Sequence, residues 1–183
     1  MPAIELLNLA KVFGSKRAVD DVNLIVEKGR IFALFGANGS GKSTIINMMT
    51  GLLKPTSGSV RILDTPVGHY NIELKRKIGV LPERLALFGS LSVWEHIRLV
   101  GETYGLEVGE ATFRGEQLLR YLDLWEDRFT KIEQCSFGMK KKASLALALI
   151  HNPEVAFLDE PFEGVDPIAS RNIKAAIESA SAK

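Results

Sequence analysis

Cysteine is almost absent from this sequence: Cys135 is the only one in 183 residues. One thiol cannot form an internal disulfide, and a lone cysteine fits a reducing cytosolic compartment without establishing one. Histidine is scarce, with three residues, His69, His96 and His151. Neither sign of charge dominates. With 23 basic and 22 acidic residues the formal net charge is +1, so nothing marks the chain as a general nucleic-acid binder. Long apolar runs are missing as well. The longest, such as Ala143 to Ile150, fall far short of the roughly 20 residues that a membrane-spanning helix requires, and the N-terminus carries no signal-peptide pattern. There is no internal repeat and no low-complexity segment. What the chain does have is apolar residues, 46% of the total, enough for one domain with a proper core.

The stretch that organises the rest is Gly36-Ala37-Asn38-Gly39-Ser40-Gly41-Lys42-Ser43-Thr44, which follows the apolar run Ile31-Phe32-Ala33-Leu34-Phe35. It fits G-x-x-x-x-G-K-[ST] at every fixed position, in the expected order of β-rich run, glycine loop and helix-like Thr44 to Met49. Glycine permits turns that a Cβ would block, so successive N–H groups of residues 38 to 44 can converge on phosphate oxygens. A helix opening at Lys42 adds its positive dipole end, Lys42 a point charge for the β and γ phosphates, and Ser43 a hydroxyl for Mg²⁺. These residues imply a nucleoside triphosphate with magnesium.

Around that loop, Ile4 to Leu9 and Ala18 to Val26 predict an antiparallel hairpin turned at Gly14-Ser15-Lys16-Arg17. Ile31 to Phe35 is expected as a strand, and Gly51 as the glycine that ends the following helix. Ser59 to Leu63 and Ile78 to Leu81 predict further strands, the latter stopped by Pro82. From Leu85 to His151 the spacing becomes helical: Ser92-Val93-Trp94-Glu95 is a capping box for a helix to about Tyr104, Gly109 to Leu122 carries a second helix, and Ser136 precedes a third that ends near Asn152-Pro153. Val155 to Leu158 returns to a buried strand, and Asp166-Pro167 begins a last helix, with aspartate as N-cap and proline at the first turn. For Lys140-Lys141-Lys142 the expectation is a solvated helix face.

The second chemical constellation is Val155-Ala156-Phe157-Leu158-Asp159-Glu160, four apolar residues and then two carboxylates. Acids at a strand end can divide the work, Asp159 holding Mg²⁺ directly or through water and Glu160 serving the attacking water as general base.

With both constellations in order, the chain resembles the ATPase subunits of ATP-binding cassette (ABC) transporters, and more closely their bacterial exporter-like branch. Gly36 to Thr44 resembles the Walker A loop, Val155 to Glu160 the Walker B strand with its catalytic glutamate, and Phe162-Glu163-Gly164-Val165-Asp166-Pro167 the D-loop. The resemblance implies an α/β fold, a P-loop NTPase core with an N-terminal antiparallel β part and an inserted helical subdomain. It divides the chain into a core of residues 1–83 and 152–183 and a helical subdomain of 84–151. It also implies that Phe13 stacks on adenine and that Asp166 and the Cys135-Ser136-Phe137-Gly138-Met139 loop contact nucleotide. In that loop only Ser136 and Gly138 agree with the family's Leu-Ser-Gly-Gly-Gln signature. Glu83 stands where the family has a Mg²⁺-linked glutamine, and a carboxylate there is also a metal ligand.

The three histidines all precede Asp159, so the family's γ-phosphate histidine has no counterpart, and the expectation is a domain incomplete at its C-terminus. The implied function is an ATP-hydrolysing, Mg²⁺-dependent subunit that pairs with a second ABC ATPase subunit and drives a transmembrane permease subunit. It would sit in the cytoplasm, peripheral on the inner face of the membrane, with no nucleic-acid partner. A non-transport ABC ATPase and a catalytically silent nucleotide-binding regulator are the alternatives.

Overall fold

The structure, a computed structural model, describes residues 2–68 and 71–181; His69 lies outside them. The chain divides into two compact units, residues 1–75 and 76–183.

In the first unit β1 (Pro2–Phe13) and β2 (Lys16–Glu27) form the expected antiparallel hairpin, longer at both ends and turned at Gly14-Ser15. β3 (Ser57–Ile62) pairs antiparallel with β1, and the two-residue β4 (Thr65–Pro66) with β3, in the order β2-β1-β3-β4. Leu6 and Leu9 are both fully buried although three residues apart, which strict alternation along a strand forbids. A register shift between them resolves the conflict. Asn8 takes a left-handed φ of 46° there, a conformation that asparagine tolerates better than most side chains. Its N–H donates to Asn23 Oδ1 at 2.8 Å and its Nδ2 to Asp21 Oδ1 at 2.8 Å. The bulge therefore returns Leu9 to the core face, where each fully buried leucine contributes about 1.5–3 kcal/mol.

The helix α1 (Lys42–Met49) buries Ile45, Ile46, Met48 and Met49 and stops at Gly51, whose φ of 74° and N–H bond to the Met48 carbonyl at 3.2 Å make it the terminating glycine expected from the sequence. Residues 31–35 correct an expectation: they form no strand. An apolar run becomes a strand only where a neighbour takes up its backbone donors and acceptors, and no described strand pairs with this one. Ile31 and Phe32 are more than half exposed and Phe35 is 92% exposed.

A five-residue helix, α2 (Ile72–Arg76), leads to the second unit. There β5 (Ile78–Leu81) and β6 (Val155–Leu158) pair in parallel, residue for residue from Ile78 with Val155 to Leu81 with Leu158. Between them in sequence come α3 (Val93–Thr103), α4 (Val108–Tyr121), a 3-10 turn at Ile132–Gln134 and α5 (Phe137–Leu149); α6 (Pro167–Ser181) closes the unit. The capping box at α3 is complete: Ser92 Oγ accepts from the Glu95 N–H and Glu95 Oε2 accepts from the Ser92 N–H. Those bonds hold the Glu95 carboxyl below its ordinary pKa.

Val93, Ile97, Leu119, Leu122, Leu145, Ile150 and Ile173, from four helices and the turns beside them, make one core. α5 packs on α3, α4, α6 and β5, and residues 141–146 are all buried. The expected solvated lysine face is accordingly overturned, since Lys141 is 0% and Lys142 7% exposed. Their stems lie in the core and their ammonium groups end on backbone carbonyls.

Candidate functional site

In the first unit the glycine loop is shaped by its own backbone. Gly39 and Gly41 have φ of 80° and 98°, and a Cβ on Gly41 would stand 2.5 Å from the Ala18 carbonyl oxygen, a contact that cannot be made. Gly41 is the N-cap of α1. Without a side chain it offers no acceptor to the first turn, and that turn contains no acidic residue. The helix thus presents its positive end without an internal anion. Lys42 Nζ turns back onto the loop, donating to the Gly36 carbonyl at 2.9 Å and to the Ala37 carbonyl at 3.4 Å, while Ser40 N–H closes the turn on the Ala37 carbonyl at 3.1 Å. Gly36, Ala37, Asn38, Gly39 and Ser40 are exposed, and Ser43 and Thr44 half-buried. Phe13, at the end of β1, is half exposed, with Lys11 Nζ 5.1 Å from its ring centroid.

The second unit brings together most of the remaining predicted residues. Asp159 and Glu160 leave the end of β6 beside the end of β5, where Pro82 and the exposed Glu83 follow. The Asp159 N–H donates to the Leu81 carbonyl at 2.9 Å, one residue past the last ladder pair, so the parallel sheet itself fixes where the acidic loop begins. Asp159 is buried and Glu160 is exposed. Glu160 has a left-handed φ of 48°, which is unusual for a residue with a Cβ and marks a backbone held by its surroundings.

Ser136 is the N-cap of α5, its Oγ accepting from the Met139 N–H at 3.2 Å. Phe137 and Gly138 open that helix against the loop that runs from Glu160 to α6: Gly164 lies under the Phe137 ring, and Gly138 lies beside the Asp166 carboxylate. Asp166 Oδ1 accepts from the N–H groups of Ile168 at 2.8 Å and Ala169 at 2.9 Å. It is therefore the N-cap expected for α6, and the Ala169 bond foremost holds its carboxyl below the usual range. Cys135, just before this corner, is buried, and burial pushes its thiol pKa up.

One contributor escaped sequence reasoning. Lys141 Nζ donates to the Glu160 carbonyl at 2.8 Å. The available signal was spacing: Lys141 lies four residues before Leu145 on the same face of α5, and that face is core. Among the described residues no three His, Cys, Asp or Glu side chains converge as a metal cluster.

The family described as ABC transporter matches residues 19–163. This chain belongs to the ABC transporter family. Among its ABC transporter relatives, the linearmycin resistance ATP-binding protein LnrL of Bacillus subtilis (strain 168) is 39% identical over 165 residues, covering 90% of this chain and 53% of that protein. The lantibiotic transport ATP-binding protein SrtF of Streptococcus pyogenes is 35% identical over 176 residues, covering 96% of this chain and 74% of that one. A solved structure of an ATP binding subunit of an ABC transporter matches with a TM-score of 0.89 at 30% identity, over 98% of this chain and 75% of that one. The chain spans about half the length of LnrL. The ABC transporter fold expected from the motifs is thus borne out, as is the kinship with the bacterial exporter-like branch. Among the described residues no helix is long and apolar enough to cross a membrane.

Proposed function

We propose that this chain is the ATP-hydrolysing part of an ABC exporter: it binds ATP with Mg²⁺, pairs with a second cassette subunit, and drives a transmembrane partner from the cytoplasmic face of the membrane. In this reading residues 1–183 belong to one ABC ATP-binding domain, with core 1–83 and 152–183 and helical subdomain 84–151. The observation that carries it is the helix start at Gly41-Lys42, an N-terminus with neither a capping side chain nor an acid in its first turn, preceded by an exposed loop whose glycines hold left-handed φ. Such an end favours an anion. The roles of LnrL, in linearmycin resistance, and of SrtF, in lantibiotic transport, support export as the direction and a small toxic compound or peptide as cargo.

The parts are assigned as follows. The N–H groups of residues 38 to 44 take phosphate oxygens, Lys42 adds its charge at the β and γ phosphates, and Phe13 lies against the adenine. Ser136 and Gly138, at the start of α5, and Asp166 contact the nucleotide held by the partner subunit. Ser43 in the first unit, and Asp159 and Glu83 in the second, are each a proposed ligand for Mg²⁺. Two acids suit this ion, which is bound through one or two carboxylates together with phosphate oxygens rather than in an all-protein cage. Mg²⁺ when bound neutralises charge that builds up on the phosphates. Glu160, exposed at the strand end, accepts the proton of the attacking water on a carboxylate oxygen. Leu87 is half-buried and Phe88 exposed, just after Glu83, which suits a surface for a helix of the membrane subunit.

The test is calorimetric. Lys42→Ala on the full-length protein should lose ATP binding while Glu160→Gln keeps it, stops turnover and accumulates an ATP-bound dimer. Unchanged ATP affinity in Lys42→Ala would refute the phosphate-site assignment.

A further inference from the structure

We infer that Lys141 is a positioning residue for Glu160, fixing the backbone from which the general base projects; this rests on the assignment of Glu160 as that base. Glu160 has φ of 48°, so its conformation needs an external hold. The peptide that follows it has a single polar handle, because Pro161 supplies no N–H and only the Glu160 carbonyl can be gripped. Two donors grip it. The Glu163 N–H does so from within the loop at 3.2 Å, and Lys141 Nζ does so from α5 at 2.8 Å.

The lysine is 0% exposed. An ammonium is costly to bury unless it makes a specific bond, and a bond from a charged donor is stronger than a neutral one. Phe137 screens the contact: its ring centroid is 5.8 Å from Lys141 Nζ, and its edge lies on Gly164, where a Cβ would come within 2.7 Å of the ring. The residue that departs from the family's signature glycine thereby sits against the lysine that holds the catalytic loop. Lys142 makes a matched internal control. It is buried on the same helix and donates, at 3.3 Å, to the carbonyl of another left-handed residue, Asp123 with φ of 52°, in the turn after α4.

The experiment compares Lys141→Met, Lys141→Arg, Lys142→Met and Glu160→Gln in the full-length protein, reading kcat, KM for ATP and melting temperature. A misplaced base costs chemistry rather than binding, so Lys141→Met should lose about tenfold to a hundredfold in kcat with KM within about twofold. Lys141→Arg, which keeps a cationic donor, should recover most of that loss. Lys142→Met should keep kcat within about twofold of the parent at a comparable drop in melting temperature. If Lys141→Met fails to fold, Lys141→Gln, smaller and neutral, replaces it with the same expectation.

Parent-level kcat in Lys141→Met beside an inactive Glu160→Gln would overturn the positioning role and leave the general base intact. Equal kcat losses in Lys141→Met and Lys142→Met would also overturn it, reducing Lys141 to packing. Parent-level turnover in Glu160→Gln would remove the general base itself, and with it this inference.

Discussion

Two segments of the molecule share one plan, a short apolar run, a loop carrying candidate site residues, and a helix. Ile31 to Phe35 leads through the glycine loop into α1; Val155 to Leu158 leads through the acidic loop into α6. They differ at both ends of the loop. The second run is a strand paired along its length with β5, and it hands a fixed position to Asp159 through the Leu81 carbonyl. The first run pairs with no described strand, and its loop takes shape from glycine conformations and from Lys42 bonds to its own carbonyls. The helices contrast too: α1 starts at a glycine with no side-chain cap, whereas α6 starts at Asp166, whose own carboxylate caps it. An uncapped helix end leaves its first N–H groups for an outside partner, and a capped one satisfies part of them itself.

The largest expected effect breaks the comparison at the runs. Phe157 is 5% exposed in β6 and Phe35 is 92% exposed. Phe157→Ala should cost about 3–5 kcal/mol, and Phe35→Ala should stay within about 0.5 kcal/mol. Both tryptophans, Trp94 and Trp125, lie in the second unit and touch at 5.6 Å. Urea unfolding followed by tryptophan fluorescence therefore reports the unit that holds Phe157, with circular dichroism for Phe35→Ala. Equal losses for the two would mean that residues 31–35 are as buried as β6.

The same contrast shows what sequence can carry. The box at Ser92 and Glu95, the stop at Gly51 and the cap at Asp166 were legible because each depends on residues within a turn of one another; β5 and β6 were legible as apolar runs, and each happened to find the other as its partner. The missing strand at 31–35 was not legible. Its composition is as β-prone as that of β6, but pairing is a relation to a distant segment, and composition carries no record of the partner. Lys141 and Lys142 failed for a related reason: three consecutive lysines signal water, and only the packing of four neighbouring elements around α5 shows that two of them are inside. The left-handed Glu160 left no trace in residue type, since glutamate is not a residue that marks such a turn. Of the site, then, the motif residues were readable and the support beneath them was not.

A smaller effect sharpens the comparison at the glycine loop. If that loop is shaped by glycine alone, Gly41→Ala must both strain a φ of 98° and push a Cβ against the Ala18 carbonyl. Left-handed strain on a residue with a Cβ costs on the order of 1–3 kcal/mol. ATP affinity measured by calorimetry should fall together with the melting temperature. A variant that lost stability but bound ATP as the parent does would show that the N–H array does not depend on this conformation.

The smallest effect tests the closed helix end, and its sign with pH is definite. The Asp166 carboxyl is held below its ordinary pKa by the Ala169 and Ile168 N–H groups, with the Lys142 charge adding in the same direction. A group whose folded pKa is depressed contributes stability above its unfolded pKa, and that contribution is lost as pH falls through the folded value. Asp166→Asn keeps a side-chain oxygen for the cap but removes the charge that faces the helix dipole. At neutral pH the variant should melt slightly below the parent. As pH is lowered through the ordinary carboxylate range and below it, the parent should lose this advantage and the two melting curves should converge. A gap that stayed constant, or widened, down to acid pH would show that the carboxylate's charge is not what closes α6, and the distinction drawn between its end and that of α1 would fail.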